Sequence, residues 1–556
     1  MCIPVNVIAG NASPPIKDPG LSEKALRKSQ PDYSPGPKRE RELIESPATE
    51  ATSATGPSFF IREIVVEGNA LLPDDAVAAI VDVGAGRELT LGELKQITNQ
   101  ITMAYAEAGY LLVRAYLPQQ EITDGRVTIN ILQGLVADIS VTGNQQYTSD
   151  SITGTLDEFI DTTTLTESLL ERSLLNLNDV YGVTARAVLT AGPRTGTTDM
   201  IINVEEGRRY RISLDADNFG SEFTGENRYG LSGQIASLFR FGDELSIRGL
   251  TTNGEQDYIN AAYRIPLLGL NTYLHANYIY ANQQLGANLT PLAAKGESNI
   301  GSLSLSHYWQ RTRNHEVAFN GGVAVRFFNN DLLGTKTSDD RLANLFVSVN
   351  GFFNDRFNAR TYYGIKLQKG LTETDRGDVL NSRLNGRGNG LIASFNLTRY
   401  QPALWLDSYF VLKAEGQLAD RRMLSPDLYA AGGMGTVRGY PLAEIVGDNA
   451  YLLSAEYVLP LPIKNSLIEG WPGLNKMVSL FGFIDHSGVF TNQRLPGETN
   501  KFITGAGVGI RLNIEPPGKQ LPNISFMMAY GKPVLGSQTP SDGEDGIFYL
   551  GGILSY

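Results

Sequence analysis

At 556 residues the chain is too long for one ordinary core, and its 59 Gly, 22 Phe and 25 Tyr come with a hydrophobic fraction of only 42%. It has no uninterrupted apolar run of the roughly 18 residues that a membrane-crossing helix needs, but a β-barrel stays open because alternation hides the hydrophobicity of its strands. A net charge of −12 argues against a general nucleic-acid binder, and one cysteine, Cys2, excludes internal disulfides and multi-cysteine metal sites.

Met1 to Ser13 lacks the basic start and long apolar core of a complete secretory signal, so a removed or truncated signal is expected. Lipidation of Cys2 is the lesser reading, since no full signal precedes it. Residues 14–57 carry Pro14, Pro15, Pro19, Pro31, Pro35, Pro37, Pro47 and Pro57 among many charges and read as an extended linker. Between those prolines, Ser22 to Gln30 consists of good helix formers; it reads equally as a short helix or as a solvated tail.

From Phe59 to about Gly207 the chain repeats itself once. Val66-Glu67-Gly68-Asn69 is echoed by Val141-Thr142-Gly143-Asn144, Val113-Arg114-Ala115 by Ala185-Arg186-Ala187, and Gln133-Gly134 by Glu206-Gly207. The echoes lie about 70 to 75 residues apart, so each unit is one small domain, 58–134 and 135–208, of order strand, helix, helix, strand, strand. In the first, Ile61–Glu67 alternates as a strand and Pro73-Asp74-Asp75 opens a short helix ending near Gly84. Thr90 with Glu93 matches a capping box for a second helix, which places Leu94, Ile97, Ile101 and Tyr105 on one face and stops at Gly109. Strands over 112–117 and 127–132 follow; in the second domain the long helix is expected over 165–180. The apolar helix stripes read as core, because the strands need a layer to pack on.

After Gly207 a two-residue period takes over. Tyr210, Ile212, Leu214 and Ala216 share one face and Arg211, Ser213, Asp215 and Asp217 the other, which suits lipid outside and water inside. Similar alternation divides 209–556 into sixteen strands, near 209–217, 227–238, 243–252, 256–265, 271–281, 299–309, 315–327, 343–353, 360–370, 389–399, 408–418, 449–458, 477–486, 502–513, 522–531 and 547–556. An even count suits closure, and the gaps tend to alternate long and short; 253–255 is shorter and 459–476 longer than that rule asks. A soluble β-sandwich would also alternate. The strand length and an end with Phe548, Leu550, Leu554 and a terminal Tyr556 favour the membrane barrel.

The longest external loop, 419–448, contains Gly432-Gly433-Met434-Gly435-Thr436-Val437-Arg438-Gly439-Tyr440, whose glycines permit folding back into a lumen. An arginine carried there needs an acid, and the candidate is Asp485 in Phe481-Gly482-Phe483-Ile484-Asp485-His486-Ser487-Gly488. By spacing alone Arg438 reads as a solvated loop residue and Asp485 as one of many lumen polars.

Two domains of this strand order, sixteen strands, Val437-Arg438-Gly439-Tyr440 in the sixth external loop and Asp485 downstream resemble the two-partner secretion transporters, the haemolysin and filamentous-haemagglutinin exporters that join POTRA domains to a barrel. The resemblance covers about 59–556; the Asp485-to-Gly488 spacing is one residue longer than the common Asp-x-Gly, and Tyr556 stands where Phe is usual. It implies a mainly β protein, a 16-stranded antiparallel transmembrane barrel behind two α+β POTRA domains, in the bacterial outer membrane with the POTRA domains in the periplasm. It also implies that 22–30 is a plug helix and that Arg438 and Asp485 hold the loop in its working position. The POTRA pair would capture an unfolded exoprotein, of large β-helical type, for a monomeric transporter driven by folding of that partner outside. An exposed sheet edge suits such a client, with Arg114 and Tyr116 as candidates in the first domain.

Enzyme readings find little. His275, His307, His315 and His486 have no metal-ligand spacing, Gly505-Ala506-Gly507-Val508-Gly509 sits in a strand, and the adjacent Asp485-His486-Ser487 cannot converge as a triad. No catalytic residue, metal or cofactor is expected. The alternatives are an outer-membrane insertase, which usually carries more such domains, and a passive porin, which needs none.

Overall fold

The structure, a computed structural model, describes residues 24, 28, 43–45, 57–156, 165–194, 196–253, 256–373, 380–403, 405–461, 475–516, 521–537 and 539–556. Of the expected helix at 22–30 only Lys24 and Lys28 are described, both helical; the rest of that stretch lies outside the described residues. The chain divides into two compact units, one holding the two small domains and one holding the barrel.

In the first unit, strand β1 (Ile44–Glu45) precedes the repeat. The first domain then runs β2 (Ser58–Ile61), β3 (Glu63–Glu67), α1 (Asp74–Val81), β4 (Arg87–Thr90), α2 (Leu91–Glu107), β5 (Val113–Tyr116) and β6 (Arg126–Gln133). The single strand expected at 61–67 is thus split at Arg62, and its first part pairs with β4 in a separate two-stranded ribbon. β6 is the centre of a three-stranded sheet, parallel to β3 and antiparallel to β5. Leu94, Ile97, Ile101 and Tyr105 of α2 are all buried against this sheet with Ile64, Val127 and Ile129, so the helical stripe is core. The helix starts where the capping box put it: Thr90 Oγ1 accepts from the Glu93 amide (3.2 Å) and the Glu93 carboxylate accepts from the Thr90 amide (2.7 Å).

The second domain repeats the plan with β7 (Leu135–Thr142), α3 (Ser149–Thr153), α4 (Glu167–Asn178), β8 (Val183–Ala191) and β9 (Thr197–Glu206). Its sheet has the order β1-β8-β9-β7, so the linker, expected to be merely extended, contributes an edge strand. The repeated Gly-Asn pair has a physical cause. Gly68 and Gly143 sit at φ +86° and +83°, each so close to a carbonyl of the neighbouring strand that a Cβ would collide with it. Asn69 and Asn144 then close the following turn through their amides, onto the Leu72 carbonyl at 2.9 Å and the Tyr147 carbonyl at 2.8 Å.

The second unit is a closed barrel. Its strands are β10 (Tyr210–Asp217), β11 (Arg228–Ala236), β12 (Glu244–Thr252), β13 (Gln256–Leu268), β14 (Thr272–Gln284), β15 (Lys295–Arg311), β16 (His315–Leu332), β17 (Thr335–Asn354), β18 (Arg360–Gly370), β19 (Leu391–Pro402) and β20 (Tyr409–Ala419). A small ribbon of β21 (Tyr429–Ala431) and β22 (Ile445–Gly447) interrupts, and the wall resumes with β23 (Asn449–Leu461), β24 (Asn475–Phe490), β25 (Lys501–Glu515), β26 (Asn523–Gly536) and β27 (Ile547–Ser555). Ladder partners β10 and β27 close it, from Ser213 opposite Ser555 to Asp217 opposite Gly551, and Tyr556 exchanges both backbone bonds with Ile212. Closure leaves no edge amide in hydrocarbon, so the sixteen strands can span the membrane although no helix among the described residues is long and apolar enough to do so.

One gap differs from expectation. Residues 328–342 read as a loop, yet β16 and β17 continue through them to a two-residue turn at Leu333-Gly334, both with positive φ. Along β10, Ile212 and Leu214 are exposed on the outer face while Ser213, Asp215 and Asp217 are buried inside. Those acids meet bidentate guanidiniums, Arg228 on Asp217 (2.6 and 2.9 Å) and Arg248 on Asp215 (2.8 and 2.9 Å).

The capping box makes a prediction for the first domain. Its bond to the Thr90 amide, foremost, holds the Glu93 carboxyl below its ordinary value of 4.5. A depressed native value stabilises fully above pH 4.5 and fades as the pH falls through the native value. Hydrogen exchange of α2 is therefore expected to show Thr90→Ala costing about 1 kcal/mol at neutral pH, and the native α2 amides losing protection on acidification below pH 4.5.

Candidate functional site

The loop between β20 and β23 does not extend away from the barrel. Its tip is buried, with Val437 fully enclosed and Arg438 and Tyr440 nearly so. The tip shapes itself: Thr436 Oγ1 accepts from the Gly432 amide (2.8 Å) and donates to its carbonyl (2.9 Å), while the Gly433 amide reaches the Tyr440 carbonyl at 3.0 Å.

Arg438 is the centre of the site. Its Nε and Nη2 donate to the two oxygens of Asp485 at 2.7 and 2.9 Å, and its own amide donates to the same carboxylate at 3.1 Å. Asp485 has no exposed surface and faces inward from β24 with Phe481 and Phe483, whereas Ile484 is exposed on the outer face. The remaining Nη1 reaches Glu456 of β23 at 2.6 Å, and the second oxygen of Glu456 takes Arg511 of β25, also at 2.6 Å. Two guanidiniums and two carboxylates thus balance. The rings below complete the cradle, with Arg438 3.6 Å above Phe483 and Arg511 4.0 Å above Phe481.

Glycines admit this close approach. A Cβ on Gly505 would collide with the Arg438 carbonyl, and one on Gly531 would lie 2.8 Å from the Gly439 amide nitrogen. Gly439 itself, at φ +92°, would put a Cβ 2.8 Å from the Lys532 backbone. Its amide donates to the Tyr549 hydroxyl at 2.9 Å, and the Tyr440 hydroxyl donates to the Leu535 carbonyl at 3.2 Å. In the run Gly505 to Gly509, Gly505 thus admits the loop backbone, while Gly507 and Gly509 lie against the Phe483 and Phe481 rings.

The base of the loop is fastened separately. Asp427 pairs with Arg326 of β16 (2.9 Å). Asp448 takes Arg383 at 2.8 Å and the amides of Met423 and Asn492 at 2.7 and 2.9 Å. Arg422 reaches Glu498 through two bonds of 2.7 Å. In the lumen Lys28 donates to Glu415 of β20 at 2.8 Å and lies 3.9 Å above the Tyr429 ring, while Lys24 reaches the Leu428 carbonyl at 3.3 Å.

The structure thus brings Val437, Arg438, Gly439 and Tyr440 together with Asp485. Arg114 and Tyr116 belong to the other unit, both exposed on β5 at the edge of its sheet. Sequence reasoning missed Glu456, Arg511 and Tyr549. The available signal was that Glu456 and Arg511 are charges on the inward parity of strands flanking Asp485. His486 points to the opposite face from Asp485 and bonds Tyr451 and Thr504.

The model of the haemolysin secretion/activation proteins ShlB/FhaC/HecB matches residues 196–512, and that of the ShlB-type POTRA domain matches 59–134. The heme/hemopexin transporter protein HuxB of Haemophilus influenzae is 25% identical over 453 residues, 79% of either chain. The outer membrane transporter CdiB of Dickeya dadantii is 23% identical over 415 residues, 72% of either chain. Among solved structures, CdiB from Escherichia coli aligns with a TM-score of 0.74 at 18% identity, covering 93% of this chain and 94% of that one.

The glycine contact is testable. Gly505→Val is expected to push the loop tip off the wall while the barrel still forms. Maleimide labelling of Val437→Cys in the Cys2→Ser background reads it: protected on native Gly505, reactive on Gly505→Val. Continued protection would disprove the role given to Gly505.

Proposed function

Because the chain belongs to the haemolysin secretion/activation (ShlB/FhaC/HecB) family, it is an outer-membrane transporter of two-partner secretion, and we propose that it captures its unfolded partner on the POTRA sheets and threads it through a lumen governed by the loop that carries Arg438. Members of this family are transporters that work with a secreted exoprotein, and their POTRA domains lie in the periplasm. The same comparisons favour export over the insertase alternative.

The finer reading divides the chain into a segment 1–57 with a plug at 22–30, POTRA domains 58–134 and 135–208, and a barrel 209–556. The partner is a large β-helical exoprotein and the transporter works as a monomer. Lys24 and Lys28 lie in the lumen at rest, as a plug requires. The Lys28–Glu415 contact is ionic, and departure of the plug breaks it. Val437, Arg438, Gly439 and Tyr440 then remain fixed to the wall by Asp485, and the exposed β5 edge at Arg114 and Tyr116 offers a first place for an extended peptide.

The observation that carries this reading is the enclosure of Arg438 between Asp485 and Glu456. Removing one member of a buried ion pair leaves the other charge desolvated, which costs about 3–5 kcal/mol. Such a price fits a part that must hold its place while a polypeptide slides past.

Co-expression with the product of the neighbouring gene in a host lacking such exporters tests the function directly. Arg438→Ala is expected to abolish appearance of that product in the medium while heat-modifiable barrel still accumulates in the outer membrane. Undiminished export would remove the role given to the loop. Removing residues 14–57 is expected to raise channel conductance in planar bilayers; an unchanged conductance would refute the plug.

A further inference from the structure

The outer wall behind the Arg438 cluster is not smooth. One ladder row crosses five strands there: Tyr457 of β23 stands opposite Gly482 of β24, Gly482 opposite Val508 of β25, Val508 opposite Tyr530 of β26, and Tyr530 opposite Phe548 of β27. Val508, Tyr530 and Phe548 are exposed on the outer face, and Tyr457 and Gly482 share the parity of the exposed Leu453 and Ile484. Between the rings of Tyr457 and Tyr530 the row therefore drops to a glycine and a valine. The result is a groove of about 620 Å³, continued along the strands by Leu480 and Ile510 and lined by no charged residue among those described. A Cβ added at Gly482 would meet nothing nearer than the Gly507 carbonyl oxygen at 3.8 Å, so this glycine, unlike Gly505, admits no other part of the described protein.

In hydrocarbon the hydrophobic effect holds nothing to such a wall, since lipid tails are as apolar as the wall itself; close dispersion contacts do. On a convex barrel an acyl chain touches protein along one side. In a groove with aromatic walls it touches on three, and water cannot take its place because the lining offers it too few polar partners. We propose that this groove is a binding site for an acyl chain of a phospholipid, which stays while the lipids around the rest of the barrel exchange. Position selects the leaflet. The chain enters β10 from the periplasmic domains, so β23 ends at Leu461, β24 begins at Asn475 and β25 ends at Glu515 on the periplasmic side. Tyr457, Leu480 and Ile510 lie nearer those ends than the external ones, and the Tyr457 hydroxyl donates to Ser408 Oγ at 3.0 Å, in the periplasmic turn before β20. That is the phospholipid leaflet, whereas lipid A fills the external one. The site requires only that the barrel stands in the outer membrane, and it goes beyond the export reading without depending on it.

Native mass spectrometry of the full-length protein, extracted from the outer membrane in mild detergent, tests the site. The unaltered chain is expected to retain a phospholipid, and Gly482→Leu, which fills the groove, to retain at least about tenfold less. Gly249→Leu is the control: Gly249 of β12 shares the parity of the exposed Ile247, and a Cβ there also meets nothing within 4 Å, so retention is expected to persist. Absence of phospholipid from the unaltered chain, equal retention by Gly482→Leu, or equal loss by Gly249→Leu overturns the proposal. So does lipid A in place of phospholipid, or a lipid-free dimer, which would make a second copy the occupant. Should Gly482→Leu fail to fold, the unaltered chain in liposomes carrying a phosphatidylethanolamine with a diazirine in its acyl chain replaces it. Photoadducts are expected to concentrate on β24 and β25 around Gly482 and Val508; adducts spread evenly over the lipid-facing strands overturn the site.

Discussion

A membrane offers no water to an unpaired backbone amide, and that constraint organises the barrel unit. It requires β27 to pair with β10, so the chain's last residue bonds back to Ile212. Closure encloses a bore whose wall must be polar, because the alternate residues of each strand face lipid. A polar bore filled by a loop then buries charge, and buried charge must be paired. The Arg438, Asp485, Glu456 and Arg511 cluster is thus a consequence of folding a loop into a tube, as are the Asp427–Arg326 and Asp448–Arg383 pairs at its base.

The barrel was legible because its physics repeats every two residues. Where the period is set by lipid on one side and water on the other, as from Tyr210 to Asp217, the strand and both its faces follow from the residues alone. The signal fails where lipid ends. Beyond Phe328 the residues turn polar (Asn329, Asn330, Asp331), so β16 and β17 looked finished although their hydrogen-bond ladder runs on to Leu332 and Thr335. Strand pairing needs no apolar face once the hairpin turn at Leu333-Gly334 fixes the register.

The site was legible in half. Arg438 and Asp485 could be joined through a shared resemblance, but Glu456 and Arg511 could not, because their meeting depends on register across three strands. Asp485 stands opposite Ser454 on one side and Gly505 on the other, which sets Glu456 and Arg511 on a diagonal that spacing along the chain does not encode. The linker strand escaped for a related reason: two residues have no period, and their partner is more than a hundred positions away. By contrast the Gly68-Asn69 and Gly143-Asn144 repeat stood out early, since one backbone problem, a left-handed turn against a carbonyl, was solved twice with the same residues.

An ionic pin also differs from an apolar one in how it yields. An apolar tip wedged into the wall would keep its full hydrophobic attachment whether or not the bore were wet. The Arg438 cluster is strong only while water is excluded, because its Coulomb attraction falls as the local dielectric rises and the released charges regain hydration. Water admitted to the cluster would therefore weaken its charge attraction. The glycine bed at Gly505 and Gly531 acts in the opposite sense, because backbone fit does not depend on dielectric. Together they fix the loop tip to the wall, the ion pairs by charge and the glycines by backbone fit.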